Sequence, residues 1–340
     1  MEKANTERNT SLDLLTAIAS FLVVLLHQSA SVQSDIYVYR IIAECAVPLF
    51  VMKSGALLLE ESKMVDYVYI RKSIIKTAVI IAFWGMVYNL ISNFMIYGVS
   101  IEVVFKSIYA VVSADTSYNY QFWYMYMLLG LYAMTPIIRK MTHELYEKDY
   151  IYIIATGVAI CFLIPFICGL VGVDYQSIWI EKWCAPFSYM LLYYIIGHYL
   201  FKHPMPNKTI IYLCLVALGL GAVTLICSIE KIGGDNIDKW LTYFSPFTLT
   251  YTVTLFSMLN KLNWKHSKGQ QRAINILAKY GLGIYILHPM VIVAMRKILG
   301  IDVNSFIPSI SVPVLTVIVY LLCAIATWGL KKIPIIRHVI

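Results

Sequence analysis

Apolar residues run along this chain in about ten stretches, each long enough to cross a bilayer and separated by short polar breaks. The runs lie at Leu12–Ser31, Tyr37–Leu59, Ser73–Ile96, Gln121–Ile138, Ile151–Val171, Cys184–Phe201, Thr209–Ser228, Tyr243–Leu259, Ala273–Met295 and Ser309–Leu330. A helix rises about 1.5 Å per residue, so about 20 apolar residues span the hydrocarbon core. The pattern predicts an all-α polytopic membrane protein, a bundle of about ten transmembrane helices. A shorter run, Ile101–Val112, lies in an outer loop and predicts an interfacial helix. None of the gaps is long enough to bury a core of its own, so residues 1–340 are expected to form a single integral membrane domain.

Composition agrees with the pattern. Hydrophobic residues make up 60% of the chain and charged ones 14%, with a mean hydropathy of +0.72. The net charge of +8 is not spread evenly. With an even number of spans and the amino terminus inside, about 17 Lys and Arg fall on inner segments and about 7 on outer ones. That asymmetry places both termini in the cytoplasm and explains the charge by topology and anionic membrane lipid, with no nucleic-acid partner. A basic start (Lys3, Arg8) and the sequence Ser29-Ala30-Ser31 imitate a cleaved signal. A retained first span is expected, because cleavage would spoil the charge alternation. The seven cysteines lie in or beside the spans with no CxxC spacing. They read as small apolar packing residues, not as metal ligands or disulfides.

Against this background, ionisable residues inside spans are the candidates for chemistry. His27 lies about 6 Å from the outer end of the first span, and Glu44 about 10 Å in from the outer end of the second. A carboxylate that orients an imidazole makes a general base, so Glu44 is expected to serve His27; the alternative is an ion pair with Arg40 one turn away. His288 closes the sequence Tyr280-Gly281-Leu282-Gly283-Ile284-Tyr285-Ile286-Leu287-His288-Pro289. Gly281, Tyr285 and His288 share one helix face, and Pro289 has no N–H for the Tyr285 carbonyl. Pro48 is expected to kink the second span near Lys53 and the small pair Ser54-Gly55, where Lys53 is about 10 Å from the inner end. Trp123, Tyr124 and Tyr126 read as an aromatic belt at the start of the fourth span.

Taken in order, several segments resemble the acyltransferase-3 family of integral membrane acyltransferases. They are Leu12-Asp13-Leu14-Leu15-Thr16-Ala17-Ile18-Ala19 leading to Leu25-Leu26-His27, Val47-Pro48-Leu49-Phe50, Ser54-Gly55-Ala56-Leu57 and Arg71-Lys72. Phe122-Trp123-Tyr124-Met125-Tyr126-Met127, Gly130-Leu131-Tyr132-Ala133-Met134-Thr135-Pro136, Tyr243-Phe244-Ser245-Pro246-Phe247 and Gly283-Ile284-Tyr285-Ile286-Leu287-His288-Pro289 complete the likeness. The resemblance implies transfer of an acetyl or other short acyl group from acyl-CoA to a hydroxyl of a cell-envelope carbohydrate or related acceptor. It implies His27 as general base with Glu44 or His288 assisting, no permanently bound cofactor, and acetyl-CoA as donor. The family places an arginine about three helical turns before the histidine; here that position is Thr16. A neutral hydroxyl lacks the charged fork that arginine offers a phosphate. Lys53, which stands where the family has an apolar residue, is expected to restore the charge, with Arg71 and Lys72 holding the donor phosphates. A similar membrane domain is joined to vancomycin-resistance serine racemases, so the competing expectation is a non-catalytic binding or transport protein for a small polar solute such as an amino acid.

Overall fold

In the computed structural model, residues 10–32, 37–61, 65–117, 119–171, 188–230, 242–262 and 267–340 are described. The helices are α1 (Thr10–Ser29), α2 (Val38–Ala43), α3 (Ala46–Leu58), α4 (Tyr67–Tyr97), α5 (Ile101–Val112), α6 (Trp123–Glu144), α7 (Glu147–Val158) and α8 (Ile164–Leu170). They continue with α9 (Tyr189–Lys202), α10 (Asn207–Ile229), α11 (Pro246–Lys261), α12 (Lys268–Ala294) and α13 (Pro308–Leu330). Every run expected to span therefore falls on a helix or a pair of consecutive helices, although Cys184 and the rest of 172–187 lie outside the described residues. Seven of these segments are long and apolar enough to cross a membrane unaided. The others are α6, which carries more polar residues, α9 at 14 residues and α11 at 16. The chain is an all-α polytopic membrane protein.

Prolines decide where the helices yield. The second span divides into α2 and α3 at Glu44 and Cys45, one turn before Pro48. Pro48 has no N–H, so the Glu44 carbonyl has no helical partner and the turn opens there, not at the proline itself. Between α7 and α8 the chain passes through a π-turn at Ala159–Leu163, just before Pro165, without ending the helix. Such bulges are the usual answer to a missing backbone donor in a medium that offers no water.

The first helix sits at the centre, in contact with α2, α3, α11, α12 and α13. Helices α3 and α9 cross very closely, and two glycines permit it. A β-carbon on Gly55 would lie 1.9 Å from the Tyr194 carbonyl oxygen, and one on Gly197 would lie 2.1 Å from that of Met52. Tyr193, Tyr194, Met52 and Leu49 are fully buried around this crossing. Lipid tails are as apolar as leucine, so close backbone approach and dispersion contacts drive such packing. By contrast α10 and the α7–α8 segment leave most of their apolar surface exposed, as membrane-facing helices do. The expected interfacial helix is α5, whose Ile101, Phe105, Tyr109 and Val112 are exposed while Val103, Ser107 and Ala110 are buried. The buried face is pinned to α4 by a hydrogen bond from Asn93 to Ser107 at 3.0 Å.

Gly55→Ala should push α3 away from α9 and destabilise the protein by about 1–3 kcal/mol, the usual cost of overpacking. Gly219→Ala is the control, since nothing lies within 4 Å of its β-carbon position. Thermal unfolding of the detergent-purified variants checks this; equal melting temperatures would rule out the close crossing.

Candidate active site

Two histidines meet near one end of the bundle. The His27 ring, in the last turn of α1, stacks on that of His288 with centroids 4.9 Å apart and planes 19° from parallel. The Tyr120 ring also lies against His27, with centroids 4.7 Å apart and planes tilted by 57°. His27 is half-buried, His288 is fully buried and Tyr120 is 43% exposed, so the pair is reached past Tyr120 and His27.

The geometry of His288 follows from its neighbour. Pro289 leaves the Tyr285 carbonyl without a helical donor, and the His288 ring takes that place, with Nδ1 2.8 Å from the Tyr285 oxygen. A carbonyl only accepts, so Nδ1 must carry the proton and Nε2 must be the basic nitrogen. That Nε2 is buried and without a hydrogen-bond partner among the described residues. The next carbonyl, of Ile286, accepts from the Tyr88 hydroxyl at 2.7 Å. The Tyr285 hydroxyl in turn donates to the backbone carbonyl of Gln121. Gly281, Tyr285 and His288 share a face, as the sequence spacing predicts, and that face meets α1. A β-carbon on Gly281 would come within 3.1 Å of Thr16.

Of the two partners expected for Glu44, His27 and Arg40, the structure shows the second. Glu44 pairs with Arg40 at 3.5 Å, the i,i+4 alternative, while His27 is held by rings. Yet this is not a surface pair, because the Glu44 side chain is only 6% exposed and that of Arg40 is 24% exposed.

At the opposite, lysine-rich end the outcome is different. Lys53 on α3 donates to the Thr16 hydroxyl on α1 at 2.5 Å, and Thr16 donates to the Leu12 carbonyl at 2.7 Å. A cation from the adjacent helix thus sits directly on the position where the resemblance leads one to expect an arginine. Arg71 and Lys72 lie exposed in the first turns of α4, with no hydrogen bond or ion pair among the described residues.

Several polar groups near the histidines carried no signal in the sequence. Gln121 is 1% exposed, and neither atom of its side-chain amide has a hydrogen-bond partner among the described residues. Asn119 and Tyr88 are buried beside it. Gln121 stands at the first residue of an expected span, where polarity is ordinary, and only the 3₁₀ turn Tyr120–Phe122 carries it inward. The aromatic-belt reading also changes: Tyr124 is buried, with its ring 5.7 Å from that of Tyr285. At the lysine-rich end of α9, His198 is buried with both ring nitrogens unpartnered among the described residues. It lies apart from the histidine pair, against Tyr150. One turn beyond His27 a cavity of about 20 Å³ opens between Gln28, Ser31, Arg296 and Asp302. That is room for about one water molecule. Asp302 there is held below the usual carboxylate range by the Asn304 backbone N–H and by Arg296.

Because Glu44 serves Arg40, Glu44→Gln should leave a half-buried guanidinium short of its anion and destabilise the protein by about 1–3 kcal/mol. The rate at which diethyl pyrocarbonate modifies His27, followed by mass spectrometry, should stay the same. A changed His27 rate with unchanged thermal stability would return the carboxylate to the histidine.

No characterised protein and no solved structure matches the chain. A family model does: that of the acyltransferase domain of the acyltransferase-3 type, over residues 9–328. The matched stretch runs from just before α1 to the last turns of α13 and includes His27, His288, Thr16 and Lys53. The chain is an integral membrane member of the acyltransferase-3 family.

Proposed function

We propose that this protein moves an acetyl or other short acyl group from cytosolic acyl-CoA to a hydroxyl of a cell-envelope carbohydrate or related acceptor. The observation that carries the reading is the pair of polar sites on α1. Thr16, touched by Lys53, and His27, stacked on His288, lie on nearly one helix face about 16 Å apart along the axis. A donor held by its phosphates at the lysine-rich end would extend its arm through the bundle to the histidines. By the positive-inside bias that end is cytoplasmic, as are both termini.

In this reading His27 removes the proton from the acceptor hydroxyl. The oxygen attacks the thioester carbonyl carbon, a C–O bond forms, and the C–S bond breaks as the tetrahedral centre collapses. The proton taken by His27 passes to the departing thiolate, so an ester and a free thiol result. His288 keeps a fixed tautomer because its Nδ1–H is committed to the Tyr285 carbonyl, so its Nε2 remains an acceptor that steadies the site. Burial makes each of these polar contacts count for more than it would in water. Lys53 supplies the permanent charge that Thr16 cannot, with Arg71 and Lys72 available at the membrane surface for the donor phosphates. A binding or transport role without chemistry rests on the likeness to the racemase-linked membrane domain and on Thr16, and the Lys53 contact weighs against the second of these.

Purified protein given acetyl-CoA and envelope material should release free thiol and form a base-labile ester. His27→Ala should lower that rate by about 10²–10⁴, the usual cost of losing a general base, while leaving the melting temperature near that of the wild type. Wild-type turnover in the alanine variant would end the assignment.

Lys53→Met should weaken acetyl-CoA binding about tenfold, as expected for one charged hydrogen bond. Adding Thr16→Arg to Lys53→Met should recover most of the loss. The apparent KM for acetyl-CoA reads both effects, and an unchanged value in Lys53→Met would remove Lys53 from the donor site.

A further inference from the structure

We propose that Gln121 binds the acceptor, its side-chain amide holding a hydroxyl of a polyhydroxyl compound beside His27; this rests on the acyl-transfer reading above. A buried side-chain amide with neither atom partnered is costly and calls for a ligand or an ordered water. Gln121 is also placed rigidly. The Phe122 N–H donates to the Asn119 carbonyl at 2.8 Å, and the Gln121 carbonyl is held by the Tyr285 hydroxyl. The Tyr88 hydroxyl, bonded to the Ile286 carbonyl at 2.7 Å, lies close enough to the Gln121 amide to interact with it electrostatically without meeting hydrogen-bond geometry. Two side chains, Tyr285 and Tyr88, thus tie Gln121 to the helical turn that carries His288. Its chain neighbour Tyr120 covers His27.

The chemistry of the amide selects the ligand class. It offers two donors and one acceptor oxygen, which a hydroxyl group satisfies by accepting and donating at once. A thioester carbonyl only accepts and would leave the Gln121 oxygen unmatched, so the acceptor fits and the donor does not. Asn119, whose Oδ1 is also unpartnered among the described residues, faces Gly85 on α4 one turn from Tyr88. A second polar group so close suits an acceptor with more than one hydroxyl. Gln121 touches the substrate and leaves the proton transfer to His27.

The test uses inverted membrane vesicles carrying the full chain and radiolabelled acetyl-CoA, with base-labile label in envelope material as the readout. Gln121→Met, similar in shape but unable to hydrogen-bond, should lower label transfer at least about tenfold with the KM for acetyl-CoA unchanged. Gln121→Glu, which keeps acceptor oxygens and loses the donors, should fall between that variant and the wild type. Either variant is scored only per molecule of monodisperse purified protein, so that misfolding is removed from the comparison; if the Met variant does not fold, the Glu variant carries the test. Transfer at the wild-type rate would mean that the amide holds an ordered water only, and overturns the proposal. So would a rise in the KM for acetyl-CoA that accounts for the whole loss, since that places Gln121 on the donor. Absence of label with the wild-type protein overturns the acyl-transfer reading and this proposal with it, whereas label that survives Gln121→Met overturns this proposal alone.

Discussion

Within a bilayer there is no water to take up a stray backbone group, and this molecule is arranged around that constraint. A proline inside a span frees one carbonyl, and at Pro48 and Pro289 the freed carbonyl shapes the structure around it. At Pro48 the helix opens, α2 and α3 part company, and Glu44 turns to Arg40. At Pro289 the helix continues, because the His288 ring supplies the missing donor. That substitution fixes the histidine's tautomer and leaves one basic nitrogen buried among aromatic rings. The candidate site is in this sense a repair of the backbone.

The repair works only because the helices lie close together. Gly281 lets α12 approach Thr16 on α1, and Gly55 and Gly197 let α3 and α9 cross backbone to backbone. The same crossing sets the position of α3, and with it the reach of Lys53 to α1. Small residues thus place a cation at one end of α1, while a proline orients an imidazole at the other. The two polar sites depend on packing of the apolar core between them.

The contact of Lys53 with Thr16 shows how such a core holds a cation. A buried positive charge needs a polar partner and a route to solvent or to a ligand. Lys53 has the first in the Thr16 hydroxyl, and its long stem lets the charge come from a neighbouring helix. Arginine and lysine differ in the hydrogen bonds they present to a phosphate, so in the proposed reaction the donor would be gripped by a point charge instead of a fork.

Much of this was legible along the chain. Hydropathy alone places the helices, because span length is dictated by bilayer thickness, and the expected runs coincide with helices throughout the described residues. His27, His288, Thr16 and Lys53 stand out because ionisable or substituted residues in apolar runs are rare for energetic reasons. The freed carbonyl at Tyr285 also follows from Pro289, since a missing N–H is a local fact. What closes on that carbonyl is the ring of His288, and what closes on the next one, of Ile286, is the hydroxyl of Tyr88, distant in sequence and brought there by packing. The partner of Glu44 turned on whether the second span bends or breaks, and only the assembled helices settle that. Gln121 carried no signal, because a polar residue at a span boundary is ordinary until a 3₁₀ turn folds it inward. Periodicity and composition act through neighbours a few residues apart, and so they determined the elements. Which polar atoms meet depends on contacts between helices far apart in the chain, and only the tertiary structure supplies those.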